Sequence, residues 1–376
     1  MTEEQPARVI SELSRWLSRL ENRNRTARLR SFMDAESIDG MLLTNLLNIR
    51  YFCGFSGSEG LLLAHGDGMT LLVDGRYTVQ AGRETTGVDI REVTDMMGGL
   101  VEFLSRETIS KLGFEASALT HERYLALSRG LPDGIELVSF SGTVDSMRSR
   151  KDAGEIGRLK TAAAMAARAL TKTIESIRPG MQERECAALL DWNLVMEGSE
   201  KPSFDTIVAS GPNGALPHAR PGSRRMEAGD FIVIDYGAIY EGYHSDETCT
   251  IALGFVTDDR RRIYDTVRSA HDRAVEAVKP GVLCKDIDAR ARAYIDDAGF
   301  GRYFVHATGH GIGLDVHEAP RLSAASDQRL EEGMVVTVEP GIYIPGVCGV
   351  RIEDMVLVTA DGCECITEMS KDLLIL

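Results

Sequence analysis

Short apolar runs and amphipathic stretches alternate along the first part of the chain. Within residues 8–31, Val9, Leu13, Trp16, Leu17 and Leu20 recur at steps of three and four with Arg and Glu opposite, which predicts a helix packed by one face. The run IDGMLLTNLLNIRYFCGF predicts a buried strand, a loop and a second short element. GLLLA and MTLLVD predict a hairpin, with His65, Gly66, Asp67 and Gly68 supplying its turn. DIREV, a helix near 96–110, LGFEA, a helix near 120–129 and IELVSF continue the strand–helix alternation. Residues 1–147 therefore predict a small α/β domain. Charge and two glycines in DSMRSRKDAGEIGR, residues 145–158, predict a linker, and the Ala-rich TAAAMAARALTKTIESI a long helix after it.

From residue 154 to 376 the pattern repeats itself. Arg178-Pro179-Gly180-Met181 precedes one amphipathic stretch, and Lys279-Pro280-Gly281-Val282 precedes another. Each leads to a Gly-rich segment, IVASGPNG and HATGHGIG, and then to a turn and strand, EAGDFIVIDYG and EEGMVVTVEPG. The spacing from Gly229 to Asp235 equals that from Gly333 to Glu339, and Gly237 and Gly341 follow those carboxylates at the same distance. An internal duplication of this kind predicts helices backing a curved antiparallel sheet with a site between the halves. The fold class expected is α+β, with the duplicated domain at 154–376.

Length supports two domains, because 376 residues exceed the usual size of a single core. A hydrophobic content of 43% with 26% charged residues is that of an ordinary globular protein. The formal net charge of −15 argues against nucleic acid or an anionic membrane as partner. MTEEQPARV lacks the apolar region of a secretory signal, and no apolar run reaches the roughly 18 residues of a bilayer span. Seven scattered cysteines, including Cys363 and Cys365, point to ordinary reduced thiols and a cytoplasmic setting. Gly54-Phe55-Ser56-Gly57-Ser58 fails the pattern of a nucleophile elbow, since Ser58 stands where Gly is required.

The candidate chemistry lies in five short stretches: VIDYGA, HSDET, TGHGIG, TVEPGIY and VRIED. They carry Asp235, Asp246, His310, Glu339 and Glu353. Asp235 and Glu339 end equivalent strands, and Asp246 and Glu353 follow at offsets that suit the return strand of a hairpin. Each half then contributes one acidic pair. Two opposed pairs would repel and raise at least one pKa, whereas two divalent cations would keep all four carboxylates ionised. An oxygen-dominated set favours Mn²⁺, with Co²⁺, Zn²⁺ or Fe²⁺ as alternatives, and such a pair of ions can activate a water.

The segments PHARPGSRRMEAGDFIVIDYGAIYEGYHSDET, HATGHGIGLDVHEAP, EEGMVVTVEPGIYIPG and GVRIEDMVLV resemble the M24 metallopeptidases of the pita-bread fold, and among them the Xaa-Pro peptidases, aminopeptidase P and prolidase. NIRYFCGFSGSEG and VDGRYTVQA resemble the small first domain of the bacterial members. The resemblance implies that Asp235, Asp246, His310, Glu339 and Glu353 are the metal ligands, with Asp246 and Glu353 bridging both ions. It implies substrate-side roles for His218 and His317, an orienting role for Arg351, and Glu339 as acceptor of the water's proton. It also implies a homodimer. His271 is expected on a helix surface, and His244 and His306 as structural neighbours of the ligands.

The activity expected first is that of an Xaa-Pro aminopeptidase, acting on peptides with proline in second position. The alternative is an Xaa-Pro dipeptidase (prolidase). A non-catalytic pita-bread binding protein, a metal-free relative of the creatine-hydrolysing type and a methionine aminopeptidase fit less well. The intact ligand set opposes the first two, and the N-terminal domain with Leu216-Pro217-His218 opposes the last.

Overall fold

A helix over residues 23–36 (α1) enters a mixed six-stranded sheet. The computed structural model describes residues 23–66 and 68–376, so the apolar stripe from Val9 to Leu20 and Asp67 of the hairpin turn lie outside the described residues. The chain divides into two compact units, one ending at Arg148 and the other spanning Ser149–Leu376.

In the first unit β1 (Gly40–Leu43), α2 (Leu46–Cys53), β2 (Leu61–His65), β3 (Gly68–Val73), α3 (Thr78–Glu84) and β4 (Asp89–Glu92) are followed by α4 (Met96–Leu104), β5 (Lys111–Glu115), α5 (His121–Gly130), β6 (Glu136–Phe140) and α6 (Thr143–Ser149). The sheet order is β4-β3-β2-β1-β5-β6. The β2–β3 hairpin is antiparallel, and β5 and β6 join in parallel after helical crossovers, as their alternating apolar runs imply. Leu42, Leu63, Leu72, Leu100 and Leu112 belong to one apolar core between sheet and helices.

The second unit opens with α7 (Ala153–Ile174) and α8 (Glu183–Met196), then β7 (Ile207–Ser210), β8 (Phe231–Tyr236), the two-residue strands β9 (Ile239–Tyr240) and β10 (Tyr243–His244), and β11 (Glu247–Ala252). The expected linker at 145–158 is instead mostly helical. Thr143–Ser149 forms α6, and Asp152 caps α7 in a reciprocal capping box with Glu155. The charge that reads as a break is the start signal of the helix.

The architecture then repeats. α9 (Asp258–Ala277) and α10 (Cys284–Asp297) precede β12 (Gly309–Gly311), β13 (Glu318–Leu322), β14 (Val335–Val338), β15 (Gly341–Ile344), β16 (Cys348–Arg351), β17 (Asp354–Val358) and β18 (Cys363–Cys365). One sheet runs β11-β8-β7 and the other β13-β12-β14-β17-β18, with antiparallel pairing within both. Each half has its own core: Leu170, Leu190 and Ile234 in the first, Val267, Ile287 and Val336 in the second. In both halves a small hairpin, β9–β10 or β15–β16, stands between the two strands that flank it in sequence, β8 and β11 or β14 and β17. This is the α+β, duplicated pita-bread arrangement expected.

Candidate active site

Equivalent positions of the two halves meet at one cavity of about 670 Å³. Asp235 is the penultimate residue of β8, and Glu339 follows directly on β14. Asp246 precedes β11 and Glu353 precedes β17, each returned beside its mate by antiparallel pairing. His310 is the middle residue of β12. Its flanking glycines permit close strand approach: a Cβ on Gly309 would lie 1.8 Å from the Thr337 carbonyl oxygen. Gly237 answers the same need in the first half, where a Cβ would meet Ser245 O at 1.9 Å.

All five side chains line the cavity, as do His218, His317 and Arg351. Donor atoms of Asp246, His310 and Glu353 lie within 4.8 Å of one another. His310 Nε2 is 3.7 Å from Asp246 Oδ2 and 3.6 Å from Glu339 Oε1. The ring's Nδ1 contacts Gly311 O at 3.0 Å, which assigns the proton to that nitrogen and turns the Nε2 lone pair toward the carboxylates. Arg351 donates to Asp235 Oδ2 and, at 3.0 Å, from Nε to Thr248 Oγ1. Thr248 Oγ1 in turn donates to Glu353 Oε2 at 2.7 Å.

The electrostatics of the acids and the imidazole favour positive charge among them. Burial, with the charges of Glu353, Asp235 and Glu339, holds the Asp246 carboxyl well above its usual range. Burial and the charges of Glu339 and Asp235 do the same to Glu353, against Arg351 and Thr248. Glu339 is pushed up to about 7 by burial, with Asp235 adding and Arg351 opposing. Burial lowers His310 to about 4, so its imidazole is neutral near pH 7. Asp235 Oδ1 is buried with no hydrogen-bond donor. A lone pair facing carboxylates, and a buried oxygen without a donor, are both satisfied by cations; the residues fit divalent ions.

Three further residues belong to the site. His306 lines the cavity, and its Nε2 contacts Tyr343 Oη at 2.9 Å. Burial lowers His306 to about 4. Tyr343 Oη accepts from Arg351 Nη1 at 3.0 Å, so His306 is tied to the arginine of the site rather than merely adjacent to it. Arg321 stands directly opposite His310 across β12–β13, on the same face, and lines the cavity. His244 lies apart, with Nδ1 2.9 Å from Ser203 Oγ. His271 differs from the surface position expected. It is 3% exposed, with Nδ1 3.0 Å from Asp272 and Nε2 3.1 Å from Asp354 Oδ2. The signal was present: Ile263, Val267, Ala270 and Ala274 set the buried stripe of α9, and His271 follows Val267 by one turn.

Comparison with known proteins identifies the family of both units. The family model described as Metallopeptidase family M24 matches residues 157–360, and that of the Creatinase/Prolidase N-terminal domain matches residues 25–150. The solved Xaa-Pro dipeptidase of Bacillus anthracis is similar at 42% identity and a TM-score of 0.91, over 94% of this chain and 100% of that one. The Xaa-Pro dipeptidase of Pyrococcus furiosus is 38% identical over 94% of this chain and 100% of its own length. The X-Pro aminopeptidase of Thermotoga maritima gives 38% identity and a TM-score of 0.85, over 90% of this chain and 98% of that one. With two acidic pairs and a neutral imidazole converging where the duplicated halves meet, and with likeness over nearly the whole length, the chain belongs to metallopeptidase family M24.

Proposed function

We propose that this metallo-exopeptidase is an Xaa-Pro dipeptidase, with Asp235, Asp246, His310, Glu339 and Glu353 holding two divalent cations and Asp246 and Glu353 facing both. The relatives named as dipeptidases favour this alternative over the aminopeptidase expected first. The observation that carries it in the site is Arg321 opposite His310. A dipeptide leaves a free proline carboxylate one residue from the scissile bond, and an acidic cleft needs a cation to receive it. Arg321 fills that place, and Arg220 also lines the cavity.

Bound cations would polarise the scissile carbonyl and lower the pKa of an attacking water. Mn²⁺ is the favoured ion, because oxygen donors dominate the set. The chain's own groups do the rest. A Glu339 carboxylate oxygen accepts the proton of the water as its oxygen bonds to the carbonyl carbon. Arg351 holds Asp235 in orientation. The bond that breaks is to a tertiary amide nitrogen, which has no proton of its own and needs one to leave as an amine. His218 and His317 stand at the cavity to hydrogen-bond the carbonyl and deliver that proton. His317 packs against His310 with its ring tilted by 58° and the centroids 4.4 Å apart. A homodimer in a reducing, cytoplasmic setting completes the reading, and the seven free cysteines support that setting. Among the described residues no helix is long and apolar enough to cross a membrane.

Side-by-side kinetics on Xaa-Pro and Xaa-Pro-Yaa peptides, with Mn²⁺, Co²⁺ or Zn²⁺ supplied, test the proposal. The expected result is a higher kcat/KM on the dipeptide. Preference for the tripeptide would establish the aminopeptidase, the reading that likeness to the Thermotoga maritima enzyme favours. No turnover of either peptide would end both.

A further inference from the structure

The strands that carry the acidic residues have a second face. Side chains alternate along a strand, so the residue after each ligand points away from the cavity. Tyr236 follows Asp235, Glu247 follows Asp246, and Asp354 follows Glu353. All three are buried, Tyr236 and Glu247 at 0% exposure. Tyr236 Oη donates to Glu247 Oε2 at 2.9 Å, and Thr367 Oγ1 donates to Asp354.

Into this second cluster the end of the chain inserts Lys371. Its Nζ donates to Glu247 Oε1 and lies 3.1 Å from Asp354 Oδ1. The segment is held on both sides of this lysine. Tyr264 Oη donates to Lys371 O at 2.9 Å, and Met369 N donates to Glu247 Oε1 at 3.3 Å. Ala252, the last residue of β11, exchanges backbone hydrogen bonds of 2.9 Å with Leu374 and Leu376.

The position of Lys371 matters because β11 and β17 come from opposite halves and belong to different sheets. On the cavity side, Glu353 N donates to Thr248 O at 3.1 Å and Thr250 Oγ1 donates to Arg351 O at 2.8 Å. On the buried side the seam is spanned by Lys371, between Glu247 of one half and Asp354 of the other. We propose that Lys371 is a positioning residue: by bridging Glu247 and Asp354 it sets the spacing of Asp246 and Glu353 across the seam between the halves.

This rests on the reading of Asp246 and Glu353 as cation ligands. Without the ammonium, Glu247 and Asp354 lose their shared partner; Glu247 keeps Tyr236 and Asp354 keeps His271 Nε2 at 3.1 Å. The two carboxylates are then free to move apart, and each is joined to a ligand by one peptide unit. Metal–ligand distances tolerate only about 0.2 Å, so a small shift at the back is felt at the front.

The test is calorimetric titration of the chelator-stripped full chain with Mn²⁺, alongside thermal melts. The variants are Lys371→Met, Lys371→Arg, Glu247→Gln and Leu170→Ala. Leu170 is fully buried in the α7–α8 core and serves as a control for lost stability alone. Glu247→Gln keeps an acceptor for Tyr236 and reads the same bridge if Lys371→Met does not fold. The wild type is expected to take up two ions. Lys371→Met and Glu247→Gln are expected to weaken uptake about tenfold or more, and Lys371→Arg to restore most of it. Leu170→Ala is expected to melt earlier with wild-type affinity. Wild-type affinity in Lys371→Met or Glu247→Gln overturns the proposal, as does equal weakening in Leu170→Ala. A wild type that takes up no Mn²⁺ overturns the reading of the site itself, and the proposal with it.

Discussion

Arg351 holds Asp235, Thr248 holds Glu353, and Gly311 fixes the ring of His310, so the donor atoms are oriented before any cation binds. The roles assigned to individual side chains separate cleanly in variants. Replacing Asp246 or Glu353 with Ala is expected to abolish uptake of both ions, measured by elemental analysis. His218→Ala and His317→Ala are expected to keep the metal while kcat falls about 10²- to 10⁴-fold, the range for a lost proton-transfer group. Arg321→Ala is expected to raise KM for an Xaa-Pro dipeptide about tenfold or more, from loss of a charge-assisted hydrogen bond, and to change KM for a tripeptide less. Equal effects on the two substrates would remove the carboxylate assignment. Of these residues, the four acids and His310 are legible in the sequence because each sits in a short patterned motif. Arg321 and Tyr343 are not. Arg321 reaches the site only through the β12–β13 register, which shifts between His310 and Gly311, and Tyr343 through a hydrogen bond to His306.

At the level of elements, the β2–β3 hairpin was readable because two apolar runs flank a turn-forming segment. The long helix α7 was readable in its Ala-rich body but not at its start, where Asp152 and Glu155 read as a charged break. The arms β9–β10 and β15–β16 escaped because strands of two to four residues carry no alternation to detect. Close strand approach, by contrast, was written in the glycines around His310. Gly309→Ala would drive a methyl group into the Thr337 carbonyl, since the Cβ would lie 1.8 Å from the oxygen. The expected outcome is a loss of about 1–3 kcal/mol in denaturant melts, together with weaker metal uptake as His310 is displaced. Unchanged uptake would mean that β12 can shift without moving His310.

For the whole molecule, the duplication was the most legible feature, because the two Pro-Gly turns and the equal Gly-to-carboxylate spacings survive in the sequence. Dipeptidase and aminopeptidase were not separable there, since the difference lies in what surrounds the cavity and not in the ligand motifs. The duplication also gives the molecule a pH-dependent weakness. It drives four carboxylates together, and burial, with Asp235 adding and Arg351 opposing, raises Glu339 to about 7 without a cation. A group raised in the folded state from its ordinary 4.5 binds more protons there than in the unfolded chain. Its contribution to the stability of the cation-free protein is complete below 4.5 and is lost as pH rises through about 7. Bound cations favour the ionised form and reverse that loss. The gap in Tm between metal-loaded and chelator-stripped protein is therefore expected to widen between pH 5 and 7, as read by thermal melts in non-chelating buffers. A constant gap would mean that Glu339 is already ionised without metal.

The most direct measurement is stoichiometric reactivation. Chelator-stripped protein is titrated with Mn²⁺ while hydrolysis of an Xaa-Pro dipeptide is followed in the same samples. The expected result is no turnover in the stripped protein, and activity that rises until two ions are bound per chain and then stays level. Full activity in the stripped protein, or a plateau at one ion, would contradict a two-cation Xaa-Pro dipeptidase built on Asp235, Asp246, His310, Glu339 and Glu353.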